Sequence, residues 1–286
     1  MEVAQKIYIC YCWKIYNMKE LLTRSLSGFL YISILLISIY VNKYTFIGIF
    51  LIFGIICIYE FQKLIHLKNI WLYILFIGFL ILFHLPSFQI PLIITLITLG
   101  LTIITQLFLV RDLIKIRIIP MFEKRKYLTS IFYLITSILF LTLSPVYDGE
   151  YNRIIVAGPL LMIWTNDTFA YIVGKNFGKH KLLERISPKK TIEGFLGGFL
   201  FTLIAGYLIA VFSETLSIII WLIISIIMSI FGTLGDLIQS KFKRQAGVKD
   251  SGSIMPGHGG IFDRLDSIIF ASPFLYTFLQ VIKHVS

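Results

Sequence analysis

The sequence predicts an all-α fold, a polytopic integral membrane bundle of about nine transmembrane helices, and three observations carry that reading. Hydrophobic residues make up 57% of the 286 positions and charged residues only 14%, against roughly 25% charged in soluble globular chains. Nine continuous apolar runs follow one another, at 25–41, 44–59, 70–85, 90–110, 128–146, 154–173, 194–213, 215–237 and 265–283. The cations fall in alternate connections between these runs, as membrane orientation demands. Because the runs are unbroken rather than alternating, helices are favoured over strands of a closed barrel.

The first run follows a basic segment, 1–24, whose first 17 residues show weak apolar periodicity. Since Met18-Lys-Glu-Leu-Leu-Thr-Arg makes a good cytoplasmic start, residues 1–17 read as an upstream extension without a catalytic role. No small-residue site closes the first run, so no cleavable signal peptide is expected. The runs through about residue 150 are nearly featureless and supply scaffold and lipid-facing surface. Between two of them, Arg111, Lys115, Arg117, Lys124, Arg125 and Lys126 form a basic connection. It serves as a topology signal and could draw anionic headgroups at about 1 kcal/mol per cation. The later runs differ: 154–173 contains Asp167, 194–213 opens on glycines, 215–237 ends in Gly232-Thr233-Leu234-Gly235-Asp236, and 265–283 begins among acids. No linker or repeat divides the chain, so residues 25–286 read as one catalytic membrane domain with its motifs in 155–270.

The charge distribution sets the expected topology. Of 26 lysines and arginines, 23 lie before the first run or in the connections 60–69, 111–126, 174–190 and 238–264; only Lys43, Arg153 and Lys283 lie elsewhere. The N-terminus and those four connections are therefore expected in the cytoplasm and the C-terminus outside. The net charge of +11 is thereby accounted for without a nucleic-acid partner. Cys10, Cys12 and Cys57 form no CxxC and have no histidine at metal spacing, so they read as unpaired thiols. His66, His84, His180 and His284 have no setting that suggests a role.

Chemistry concentrates in three clusters. Asp167, flanked by Asn166 and Thr168, stands in an apolar run where a carboxylate near the bilayer centre costs at least ~2.5 kcal/mol, so it is expected in a polar pocket. The stretch Gly174–Gly194 mixes turn residues, lysines and hydroxyls, with Ser187, Lys189, Lys190, Thr191 and Glu193 as candidate substrate contacts. Lysines supply charge to phosphate oxygens, while hydroxyls supply directional hydrogen bonds. Its GKxxGK spacing is not that of a P-loop, and Gly194, Gly197 and Gly198 are expected to allow tight helix packing. In the third cluster, Asp236, Ser240 and Lys243 align on one face if the helix continues. Pro256-Gly257-His258-Gly259-Gly260 is expected to offer backbone N–H groups to an anion. Asp263 and Asp266 share a face three residues apart and, with Asp236, form three carboxylates able to converge. Hard oxygen ligands of this kind favour Mg²⁺ held together with substrate phosphates. Lys243, Arg244, Lys249 and Arg264 would balance the remaining phosphate charge. His258 is read as a phosphate contact or a structural residue.

From Ser240 to Asp266 the residues run S-x-F-K-R-x4-K-D-x-G-x3-P-G-H-G-G-x2-D-R-x-D, which closely resembles the signature of the phosphatidate cytidylyltransferase (CDP-diacylglycerol synthase) family. Asn166–Tyr171 and Ile186–Gly194 also look like blocks of that family, so the resemblance covers about residues 155–286. Gln239 departs from the acidic residue found there in many relatives. The resemblance implies transfer of CMP from CTP to phosphatidate, giving CDP-diacylglycerol and diphosphate with Mg²⁺, and leaves open a second, monovalent or divalent, cation. It implies metal binding by Asp236, Asp263 and Asp266, with Lys249 joining them as a catalytic residue. Lys189, Lys190, Lys243, Arg244 and Lys249 would hold phosphates, and Asp167 would line the intramembrane part of the pocket. It further implies a bacterial inner-membrane enzyme whose site faces the cytoplasm, with membrane lipids around it, and a homodimer.

Two other readings compete. A CTP-dependent polyprenol or phytol kinase would release CDP rather than diphosphate. A transporter could use Asp167 and broken helices, but it needs no cytoplasmic DxxD among cations, and no inverted repeat is visible.

Overall fold

The structure is a computed structural model that describes residues 2–88, 90–115, 118–147 and 150–285, with side chains between Leu22 and Lys283. The side chains of residues 1–17, read above as an extension, lie outside the described residues. Every apolar run becomes a helix. In chain order these are α1 (Glu2–Val41), α2 (Lys43–Leu64), α3 (Trp71–His84), α4 (Leu92–Lys115), α5 (Glu123–Thr129), α6 (Thr136–Leu143), α7 (Ile154–Phe177), α8 (Ile192–Ser213), α9 (Ile218–Gln245) and α10 (Phe262–Val285). A π-helical turn, Ser130–Ile135, joins α5 and α6 into one rod. Two short antiparallel hairpins complete the chain: β1 (Val146–Tyr147) with β2 (Glu150–Tyr151), and β3 (Lys181–Leu183) with β4 (Ser187–Thr191).

The protein is an all-α polytopic membrane protein, as expected. Among the described residues seven helices are long and apolar enough to cross a membrane. The run at 70–85 yields a helix of only 14 residues, roughly 21 Å long at 1.5 Å per residue, short of a ~30 Å hydrocarbon core. The 24-residue α7 is long enough, but Asn166, Asp167, Thr168 and Lys175 interrupt its apolar character and it is not among the seven.

Local chemistry marks the helix ends. Asn42 and Thr45 form a reciprocal capping box at the start of α2, Thr191 accepts from the Gly194 amide to cap α8, and Ser217 caps α9. Each satisfies amides that the first turn leaves without partners. Since lipid tails are as apolar as leucine, helices here associate through packing and interhelical hydrogen bonds. α8 packs along α7, and α9 lies against both α8 and α10. Gly194 and Gly198 permit the first contact: an added Cβ would lie 2.6 Å from the Ala170 carbonyl oxygen and 2.7 Å from that of Asn166, respectively. Phe61, Tyr133, Phe242 and Phe262 stack edge-on or tilted around one point, joining α2, the π-helical turn, α9 and α10. Buried polar pairs add cross-links, with Thr102 to Thr136 at 2.7 Å and Gln106 to Ser137 at 2.9 Å.

The four basic connections gather at one end of this bundle. Lys126 donates to the His66 carbonyl, Arg185 to that of Leu113, Lys241 to that of Asp112 and Gln245 to that of Ile119. Alternation of charge along the sequence has thus become segregation in space. Asp112, fully buried, is further bonded by Arg111 and Arg125, so this end is tied by ionic as well as apolar contacts.

Candidate active site

A cavity of about 420 Å³ opens among α7, β4, α8, α9 and α10, within the roughly 300–1,000 Å³ range of small-molecule sites. α7 contributes Asp167; the β3–β4 hairpin contributes Ser187, Lys189, Lys190 and Thr191; α9 contributes Asp236 and Lys243; and α10 contributes Asp263, Arg264 and Asp266. Residues from three distant stretches of sequence therefore share one wall, as the clustering of their charges suggested. Asn166 sits behind Asp167, accepting from the Ser229 hydroxyl at 2.7 Å and donating to Thr233 at 3.3 Å.

Two lysine–carboxylate pairs organise the interior. Lys190 Nζ lies 2.5 Å from Asp236 Oδ2, and Lys243 Nζ lies 2.7 Å from Asp263 Oδ1. The helix continues past Asp236 as expected, so Ser240 donates to Asp236 Oδ1 at 3.1 Å. Lys243, one turn further, instead turns across to α10. Burial works against the ammonium of Lys190, but the adjoining Asp236 carboxylate outweighs it and raises its pKa above the ordinary lysine value.

Asp263 is the most heavily bonded of the three acids. Its Oδ2 accepts from the amides of Ser251 and Gly260, at 2.8 and 2.9 Å, and its Oδ1 from Gln239 at 3.2 Å as well as Lys243. Gln239, which carries no charge, thus acts as a donor to the acid opposite it. Asp266 is buried, and its Oδ1 accepts from the following Ser267 amide at 2.7 Å.

The expected convergence of Asp236, Asp263 and Asp266 on a metal ion is only partly realised. All three line the cavity, but among the described residues no group of three histidine, cysteine, aspartate or glutamate side chains stands at metal-holding spacing. The reason is local: Asp236 and Asp263 are each turned towards a lysine. The donor set still suits a hard divalent cation held by one or two carboxylates and completed by phosphate oxygens or water. A fully protein-built cage does not fit.

Other expected contacts lie elsewhere. Glu193 accepts from the amides of Lys179 and His180 and meets the His180 ring at 2.6 Å, so it secures the turn before β3. Arg244 is exposed at the end of α9 and does not line the cavity. Lys249 and His258 line a second, neighbouring cavity that shares Asp250 and Arg264 with the first. In and beside the glycine-rich loop, several amides already have partners. Those of Met255 and His258 close turns within the loop, while those of Gly260 and Ile261 go to Asp263 and Glu60.

Glu60 is the principal residue that sequence reasoning missed. Near the end of α2 it accepts from Ser251 Oγ at 2.9 Å and from the amides of Ile261 and Phe262 at 3.3 and 2.9 Å. Its carboxylate therefore caps α10 directly before Asp263. Its one visible signal was that it is the lone acid of the segment that becomes α2, standing directly after the apolar run 44–59. Arg24, Ser27 and Asp250 were also missed; they border the glycine-rich loop or the cavities.

Curated proteins similar to this chain are named phosphatidate cytidylyltransferase. The protein of Staphylococcus saprophyticus is 55% identical over 117 residues, 40% of this chain and 45% of its own length. That of Bacillus subtilis is 41% identical over 156 residues, 50% of this chain and 58% of its own length. The Staphylococcus epidermidis protein is 53% identical over 117 residues, with 40% and 45% covered. The chain spans about half the length of the curated relatives it matches. The model of the cytidylyltransferase family matches residues 22–282, a stretch that takes in every wall of both cavities, and the chain belongs to that family.

Proposed function

We propose that the protein is a phosphatidate cytidylyltransferase, which joins CMP from CTP to phosphatidate and releases diphosphate. The observation that carries this reading is the cavity in which the Lys190–Asp236 and Lys243–Asp263 pairs and Asp266 face one another. Such a site offers movable cations for phosphate oxygens beside carboxylates for a divalent cation. The names of its relatives support the same assignment.

In the proposed reaction a phosphate oxygen of phosphatidate attacks the α-phosphorus of CTP. The new phosphorus–oxygen bond forms as the bond from the α-phosphorus to the α–β bridging oxygen breaks, and diphosphate departs with that electron pair. The nucleophile is already anionic near neutral pH, so no side chain need remove its proton. Lys190 and Lys243 can exchange their carboxylate partners for phosphate oxygens, placing charge where it develops during transfer. Lys189 and the Ser187 and Thr191 hydroxyls border the same space and orient the nucleotide. Mg²⁺, held through Asp236, Asp263 or Asp266, would neutralise phosphate charge and align the leaving group. The end of the bundle that gathers the basic connections is placed in the cytoplasm, where CTP is supplied, with the protein in a bacterial inner membrane.

The test is an assay of purified protein in detergent micelles with CTP, Mg²⁺ and phosphatidate. Equal amounts of CDP-diacylglycerol and diphosphate are expected. Release of CDP without diphosphate, or no CTP consumption by folded protein, would overturn the assignment.

A further inference from the structure

A third cavity, about 850 Å³, opens where α2 gives way to α3, and it shares no residue with the other two. Lys63, His66 and Lys68 line it, and no acid does. Both lysines are exposed, and among the described residues neither forms an ion pair. The connection that carries them is held in one shape. Gln62, buried beneath it, accepts from the Asn69 amide at 2.8 Å and donates to the Asn69 carbonyl at 3.0 Å. The Gln62 carbonyl accepts from the Leu67 amide at 2.9 Å. Lys126 and Tyr127 fasten the same loop from α5: Lys126 donates to the His66 carbonyl at 3.3 Å, and the Tyr127 hydroxyl accepts from the Asn69 side chain at 3.1 Å.

The position of these cations indicates what they bind. The apolar span Lys43–Leu64 ends here, so Lys63, His66 and Lys68 stand at the level where lipid headgroups meet water. Tyr59 and Tyr73 line the cavity at that level and Trp71 is exposed beside it, the amphipathic rings expected of a membrane interface. Deeper along the same faces the surface is apolar. Ile52 precedes Tyr59 by two turns on the side of α2 that carries Lys63, and Ile77 follows Tyr73 by one turn on α3; both are exposed. One ligand can thus set an anionic head between the lysines and lay acyl chains along Ile52 and Ile77. The space exceeds what a bare phosphate fills, and the Tyr59 and Tyr73 hydroxyls and the His66 ring offer hydrogen bonds to a polar group beyond it. A soluble anion would gain nothing from the apolar face, and a zwitterionic head would set its own cation against the lysines.

We propose that this third cavity binds the head of an anionic phosphodiester phospholipid, held by Lys63 and Lys68 at a site separate from the candidate active site. Binding is read without turnover, so the proposal stands or falls apart from the cytidylyl-transfer reading. A fluorescent short-chain phosphatidylglycerol is titrated into the full chain in micelles of uncharged detergent, without CTP. Saturable binding is expected, and Lys63→Gln with Lys68→Gln should weaken it about tenfold or more, each single variant falling between. Lys115→Gln with Lys124→Gln, which removes two exposed cations outside the cavity, should bind as wild type does. An equal loss in both double variants would reveal a diffuse charge effect and overturn the proposal. Equal affinity of wild type for the matching phosphatidylcholine would do the same by revealing a purely apolar contact, as would displacement of the lipid by equimolar glycerol phosphate. Phosphatidate is titrated into the same proteins. If it bound here more tightly than phosphatidylglycerol, and the Lys63→Gln with Lys68→Gln variant raised its KM, the cavity would be a substrate entrance and the proposal would fall. Equal unfolding midpoints of wild type and both double variants establish that lost affinity is not lost fold.

Discussion

Lys190 Nζ lies 2.5 Å from Asp236 Oδ2, joining the strand before α8 to α9 across the first cavity. This contact bridges two walls of the cavity with a bond that a phosphate can replace. Lys190→Met should therefore lower kcat/KM for CTP by about 100-fold or more, the scale of losing one electrostatic stabiliser at a reacting phosphate. Lys190→Arg should recover part of it, because charge is kept while reach and geometry change. Steady-state kinetics at varied CTP check both. Equal activity in Lys190→Met and wild type would remove the lysine from the site.

The same pair sets an expectation for pH. Because Asp236 raises the Lys190 pKa above its ordinary value despite burial, its stabilising contribution is fully present below the unfolded lysine pKa, ~10.4. It is lost only as pH rises through the still higher folded value. Activity and unfolding midpoint should thus show no alkaline decline from this residue between pH 7 and about 10. A Lys190-dependent decline near pH 8, absent in Lys190→Arg, would contradict the pairing.

Asp263 and Asp266 should fail in different ways. Asp263 accepts four hydrogen bonds, two from Gln239 and Lys243 of α9 and two from the Ser251 and Gly260 amides at either end of the 251–260 loop, so Asp263→Asn should lose turnover and loosen the loop together. The carboxylate of Asp266 accepts from a backbone amide and faces the cavity. Asp266→Asn should abolish CTP-dependent turnover while membrane insertion and the unfolding midpoint stay near wild type. Chelation of Mg²⁺ should stop wild-type turnover, and re-addition should restore it. Measuring activity against Mg²⁺ concentration in both variants separates the effects, and near-normal activity of both at limiting Mg²⁺ would dispose of the carboxylate cation site.

What the sequence disclosed and what it concealed follow from how each feature is encoded. Apolar runs translate directly into helices, because in lipid the backbone must satisfy itself within the segment. Hydropathy was less informative about spanning, and it did not separate Trp71–His84 from the longer rods. Asp167, Lys190, Asp236, Asp263 and Asp266 were legible because charge in an apolar background stands out. Glu60 and Ser27 acquire their meaning only through partners 191 and 231 residues away, a relation no local pattern records. The glycine-rich loop was only partly legible for a related reason. Composition revealed its conformational freedom but not that Asp263 would take the Gly260 amide and Glu60 that of Ile261.

Glu60 offers a prediction about stability. Removing its carboxylate leaves the amides of Ile261 and Phe262 and the hydroxyl of Ser251 without acceptors in a buried setting. Since each unsatisfied buried donor costs about 1–3 kcal/mol, Glu60→Ala should lower the unfolding midpoint clearly and expose the 246–261 segment to proteolysis. Glu60→Gln should be milder, because its one carbonyl oxygen can still accept. Thermal unfolding and limited proteolysis, compared for the two variants, decide whether this acid is the anchor of α10.

The contact between α7 and α8 makes the remaining prediction. Gly198 sits so close to Asn166 that an added Cβ would stand 2.7 Å from its carbonyl oxygen and 2.9 Å from its Oδ1. Asn166 in turn is held by Ser229 and Thr233 of α9, and its neighbour Asp167 lines the cavity. A methyl group at position 198 cannot be accommodated by moving a flexible tip, because one obstacle is backbone. Gly198→Ala should separate the two helices, costing about 1–3 kcal/mol as overpacking does, and displace Asp167 from the Lys190–Asp236 pair. kcat should then fall more than the unfolding midpoint would suggest. Gly100→Ala serves as the reference, since nothing lies within 4 Å of a Cβ there, and it should leave both quantities unchanged. Equal behaviour of the two variants would show that the α7–α8 spacing does not govern the site.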